Sequence, residues 1–275
     1  MEEMHNQEAP KMSSVEQEEF EISHTDKLVG VFSEPGSTFS KMSKFPPKTA
    51  DWVIPILIVI VIAILSQFLM MNNPTIKAAL VEKQMATVEK SLNDQVASGQ
   101  LTQAQADQRL ESMRDQMDQS GGAVQMIGIF VGIPFATFIF FFIVSGVYLF
   151  LAKIILKGDG TYKEAMVAYG LPHYILAIQM IIMVIAALAT NKLFTGTSVA
   201  DFIGTEKNTI AGFLLGKLDV FSIWFYVVFG IGLAKMFKNN NSQKFIIGVI
   251  AVWLGFGLIF FVLAKSVSWL SFLAG

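Results

Sequence analysis

With 275 residues, 53% hydrophobic and only 15% charged, the chain is too apolar for a water-soluble domain and too ordered in composition to be disordered throughout. A net charge of -2 indicates neither a nucleic-acid surface nor a strongly polybasic membrane anchor. Cysteine is absent and the three histidines (His5, His24, His173) are never at ligand spacing, so no disulfide, thiolate chemistry, metal centre or cofactor is expected.

Residues 1–31 open with Glu2, Glu3 and Glu8 and are rich in Glu, Gln and Ser, which predicts a disordered acidic arm. They hold no apolar run that could serve as a signal peptide, so the first span is expected to insert as an uncleaved anchor. Between Leu28 and Lys48, Val31, Phe32, Phe39, Met42 and Phe45 alternate with Lys41, Lys44 and Lys48. That mixture predicts a juxtamembrane segment over 32–51 lying at the headgroup boundary, closed by Pro46-Pro47.

Five long apolar stretches follow, at 52–71, 124–156, 168–189, 218–236 and 245–263. The first, Trp52 to Met71, carries no charge, and about twenty residues at 1.5 Å rise cross a roughly 30 Å hydrocarbon layer. Residues 124–156 exceed a perpendicular crossing, so a kink is expected near Pro134, with the crossing itself running from about Phe135. The fourth stretch is short and its start is open. The fold class is therefore all-α, a polytopic bundle of five transmembrane helices.

Between the first two spans, residues 74–120 read as an external helical hairpin. Ile76, Leu80, Val81, Met85, Val88 and Leu92 recur at threes and fours up to Val96-Ala97-Ser98-Gly99, a helix end with glycine just past it. Thr102 and Gln105 fit a capping box, and Ala106, Leu110, Met113 and Met117 form the stripe of a partner helix. Residues 190–217 are expected as an external loop with a short interfacial helix at Ile210 to Leu215.

Lysine placement sets an expected orientation. Lys41, Lys44 and Lys48 flank the first span; Lys153, Lys157 and Lys163 lie between spans two and three; Lys235, Lys238 and Lys244 lie between four and five. The positive-inside rule puts those segments and the amino terminus in the cytoplasm, and the hairpin, the 190–217 loop and the carboxyl terminus outside.

Chemistry is sparse. No Asp, Glu, Lys or Arg falls near the centre of an expected crossing, which argues against a proton relay or a voltage sensor. Asp219 and Lys235 are placed at span ends, where snorkelling accounts for them. His173, Gln179 and Asp219 are the candidate polar or pathway positions, with interhelical hydrogen bonding the plainer role for Gln179. Gly128 with Gly132, Gly230 with Gly232, and Gly255 with Gly257 are expected at close helix contacts, and oligomerisation through them stays open. No nucleotide-binding or nucleophile constellation occurs, so no catalytic residue is expected.

Four strings, in their order along five spans, resemble the Yip1 domain family over 32–263. They are Phe32-Ser-Glu-Pro-Gly-Ser-Thr-Phe39 with Trp52-Val-Ile-Pro55; Gly158-Asp-Gly-Thr-Tyr-Lys-Glu164; Ala168-Tyr-Gly-Leu-Pro172; and Leu218-Asp-Val-Phe-Ser-Ile-Trp224 leading to Gly230-Ile-Gly232. The resemblance implies a five-span bundle with a cytoplasmic amino-terminal arm and a short carboxyl end on the far side, and it implies no catalytic residues. Eukaryotic members associate with Rab-type GTPases and trafficking machinery. The insertion at 74–120 resembles bacterial members, which implies a bacterial inner-membrane protein without that trafficking role.

Two functional readings result. One is a non-enzymatic scaffold or adaptor that meets protein partners through the amino-terminal arm and the hairpin. The alternative is a small transporter, channel or lipid-moving protein.

Overall fold

The structure, a computed structural model, describes residues 22–119, 127–205 and 208–266, and every regular element among them is helical. Helix α1 (His24–Ser33) opens on a capping box in which Ser23 and Asp26 satisfy each other's backbone N–H. Pro35 then opens α2 (Pro35–Met42), its missing N–H harmless in a first turn. The arm expected to be disordered through residue 31 is thus helical from His24; residues 1–21 lie outside the described residues.

The first span is α3 (Ala50–Met71). Asn73 turns the chain into α4 (Pro74–Ala97), its side-chain oxygen accepting from the N–H groups of Thr75 and Ile76 at 3.1 Å. Gly99, at φ 74°, takes the left-handed position past the helix end that a Cβ would oppose. The reciprocal pair Thr102 N–H to Gln105 Oε1 and Gln105 N–H to Thr102 Oγ1 starts α5 (Gln103–Gln119). α4 and α5 pack on each other, with Leu92 and Ala106 buried.

The second span combines a π-helical turn at Gly128–Gly132, α6 (Ile133–Phe150) and a second π turn at Leu151–Ile155. The break expected at Pro134 takes the form of the first turn, where Ile133 N–H reaches five residues back to Gly128 O. Gly128 to Ile133 therefore continue the helix, and Gly128–Ile155 is long and apolar enough to cross a membrane. Residues 124–126 lie outside the described residues.

The third span joins α7 (Tyr162–Gly170) and α8 (His173–Thr190) across Leu171-Pro172, so its helix begins six residues before the expected Ala168. A capping box between Thr161 and Glu164 starts it. Short helices α9 (Val199–Ile203) and α10 (Ile210–Lys217) precede α11 (Val220–Met236), and α12 (Ser242–Ser266) is last. Among the described residues, four helical stretches are long and apolar enough to cross a membrane, or five when α10 and α11, meeting at 58°, count as one.

Helix α11 is central, packed by α12, α2, α7 and α8, while α3 lies along α8 and α7. Its Phe225, Val228, Phe229, Leu233 and Met236 are buried. The segment expected at the headgroup boundary is instead folded into this core. Val31 and Phe39 are fully buried and Phe32 lies edge-on to Trp224 at 5.6 Å. An apolar stripe on so short a helix fits a protein groove as well as a lipid surface, and composition alone does not separate the two.

Glycine marks the closest approaches. A Cβ at Gly230 would lie 2.6 Å from Ile246 Cα, at Gly170 2.6 Å from Trp52 Cβ, and at Gly232 2.7 Å from the Phe39 ring. A Cβ at Gly257 would lie 2.7 Å from Lys217 Nζ. Gly128, Gly132 and Gly255, also expected at helix contacts, have nothing within 4 Å of the Cβ position.

Candidate functional site

The amino-terminal helices are held by a buried polar clamp. Lys27 Nζ donates to Asp51 Oδ1 at 2.8 Å, and each side chain is only 5% exposed. His24 lies between this pair and the third span, its Nδ1 4.0 Å from Asp51 Oδ1 and its Nε2 hydrogen-bonded to Tyr174 Oη at 2.6 Å. Beside the pair is a recess of about 10 Å³, closed by Met42, Phe45, Pro47 and Met236, with room for roughly one water molecule. A desolvated pair of this kind contributes little net stability while both partners remain, but removing either strands a charge. Sequence reasoning missed it. Asp51 reads as an ordinary acid in a helix's first turn, and the only hint is Lys27 sharing a helix face with Val31 four residues on.

The two lysine loops meet at one end of the bundle. Asp159 N–H donates to Phe237 O at 2.9 Å, Lys244 Nζ donates to Leu156 O at 3.2 Å, and Gly158 and Gly160 lie flat against Phe237. Lys157 and Lys238 each turn the chain in the left-handed conformation, at φ 58° and 53°. Lys153, Lys157, Lys163, Lys238 and Lys244 are exposed and Lys235 is half-buried. Lys41 and Lys44 join them, since Met42 and Met236 line the same recess.

Spans one and three run in parallel from this end. The Trp52 backbone touches Gly170 near the start, and Asn73 Nδ2 donates to Asn191 Oδ1 at 2.8 Å near the finish. Gln179 falls midway, about 14 Å along the helix from Gly170 and about 18 Å from Asn191 at 1.5 Å per residue. There its amide donates to Asp219 Oδ2 at 3.1 Å and to Thr197 Oγ1 at 2.7 Å. Asp219 also accepts from Thr197 Oγ1, Ser222 Oγ and the N–H of Phe221, capping α11. The carboxylate is buried, and no cation lies within 4 Å of it among the described residues.

The sequence places Asp219 at a span end, free to snorkel. It is instead enclosed at the junction of α10 and α11, because the apolar helix resumes on its amino-terminal side at Ile210–Lys217. Beside it, the Lys217 ammonium lies over the rings of Phe213 and Trp253, 5.3 and 5.0 Å from their centroids. The third position, His173, is not part of this knot. It opens α8 six residues before Gln179, buried among Phe141, Tyr169 and Phe225, with Nδ1 2.9 Å from Tyr169 O. Of the predicted positions, Gln179 and Asp219 are brought together; Thr197 and Ser222, which complete the knot, carry no distinguishing sequence signal.

The fold and these sites define a multi-pass helical membrane protein. The Yip1 domain family model matches residues 29–264, most of the chain, and the chain belongs to the Yip1 domain family. No curated protein and no solved structure matches it.

Proposed function

We propose that the protein is a non-enzymatic scaffold or adaptor of a bacterial inner membrane, with the lysine-rich end in the cytoplasm and the carboxyl terminus outside. The observation that carries this reading is the locked amino-terminal segment. Buried Lys27, Asp51, Val31 and Phe39 fix α1 and α2 in the bundle, so residues 1–21 depart from a defined point beside the lysine loops. A rigid bundle that presents an acidic arm on one side and a helical hairpin on the other suits holding proteins together across a membrane. The gathered lysines support the orientation through the positive-inside rule.

In-membrane crosslinking followed by affinity purification tests it. A chain lacking residues 1–21, with the clamp intact, should lose a defined set of cytoplasmic partners and keep its fold. Recovery of the protein alone, or of the same partners with and without the arm, would count against scaffolding.

A second reading, movement of a small solute or lipid, draws on the carboxylate enclosed between two half-helices, an arrangement used at transporter sites. It gives Asp219, Gln179 and His173 the role of pathway lining. Flux and lipid scrambling in proteoliposomes should then exceed empty vesicles and fall with Asp219→Asn or His173→Ala. Rates equal to empty vesicles remove this reading.

A further inference from the structure

The stretch between spans three and four was expected as an external loop, yet its polarity is inverted. Phe202 is 74% exposed, Ile203 62%, Ile210 67% and Leu214 58%, whereas Ser198 and Asp219 are buried and Thr197 and Asp201 half-buried. Asp201 accepts from the hydroxyls of Ser198 and Thr195 and from Ser198 N–H. Thr197 reaches Gln179 and Asp219, and Val199 N–H is satisfied by Leu218 O at 3.0 Å. A water-facing loop does the reverse. Internal satisfaction of these groups beneath an apolar exterior is what a hydrocarbon surrounding demands, and Asn208 Oδ1, buried without a hydrogen-bond partner, is the exception among the described residues of the stretch.

Depth points the same way. Thr197 is bonded to Gln179, about 18 Å along α8 from the Asn191 end, at 1.5 Å per residue. The six residues from Asn191 to Thr197 can span about 20 Å when extended, enough for that descent. From there α10 lies along the last span, with Phe213 packed on Phe261 at 4.8 Å between ring centroids. Its exposed face thus continues the apolar surface that Leu258, Ile259 and Val262 form on α12.

We propose that α9 and α10 re-enter the bilayer and pack against lipid acyl chains, so that the fourth crossing is a broken one with Lys217 and Asp219 at its break. The proposal stands apart from both readings of function, since a scaffold and a transporter could each contain it.

Because the chain has no cysteine, single thiols can be placed in the full-length protein without other changes. In lipid nanodiscs, where both faces meet the same solution, a charged maleimide should label Phe202→Cys and Leu214→Cys as slowly as Ile185→Cys on α8. All three should react at least tenfold more slowly than Met113→Cys on the hairpin, and all four should label fully once denatured. Ile203→Cys and Ile210→Cys give a second pair should either of the first fail to fold. Labelling of the α9 and α10 thiols at the hairpin rate would overturn the proposal.

Discussion

Lys27 and Asp51 have lost water on every side and kept only each other, His24 and a recess of about one water. Lys27→Ala should therefore destabilise the protein by about 3–5 kcal/mol, because Asp51 is left buried and unpaired. Lys27→Met with Asp51→Leu should recover much of that loss, and thermal unfolding in detergent distinguishes the two variants. Asp219 follows the same logic with neutral partners. Replacing it by Ala strands the hydroxyl protons of Thr197 and Ser222, at about 1–3 kcal/mol for each group left unsatisfied, and leaves the Gln179 amide only its bond to Thr197. The melting point of Asp219→Ala should thus fall well below that of Thr197→Val. Neither cluster was fully legible from sequence. Gln179 and Asp219 stand out as polar residues in apolar surroundings, but their partners come from 18 and 40 residues apart, and Lys27 from 24 residues before Asp51.

Among the helices, legibility followed range. The hairpin's ends were readable because Asn73, Gly99 and the Thr102–Gln105 pair act on their own backbone. Helix contacts were not, because a glycine says that room exists and not which neighbour fills it. Gly230 and Gly255 make the contrast measurable. Gly230→Ala pushes a methyl into the Ile246 backbone and should cost about 1–3 kcal/mol. Gly255→Ala enters open space and should be neutral, or stabilise by up to about 1 kcal/mol through helix propensity. Thermal unfolding of both variants checks the ordering. The start of span four shows a related limit. A charged residue in an apolar run looks like a boundary, and although the short helix at Ile210 to Leu215 was legible, its packing against α12 was not.

At the level of the molecule, the membrane crossings were plain in the sequence because hydrocarbon thickness imposes their length. What was hidden is that α1 and α2 belong to the bundle. Their removal therefore should matter more than removal of the arm before them. Deletion of residues 1–42 is expected to lower the melting temperature and broaden the transition by uncovering Gly232 and Met236. Deletion of residues 1–21 should leave both nearly unchanged.

That arrangement also has a timetable. Phe39 leaves the ribosome early, but the Gly232 surface that receives it is made roughly 190 residues later, a delay of about 10–40 s at 5–20 residues per second. Throughout that interval Val31, Phe39 and Met42 have no seat within their own chain. Docking of the first-made helices is consequently a late event in biogenesis, and closure of the clamp marks a chain whose central helix has already been built.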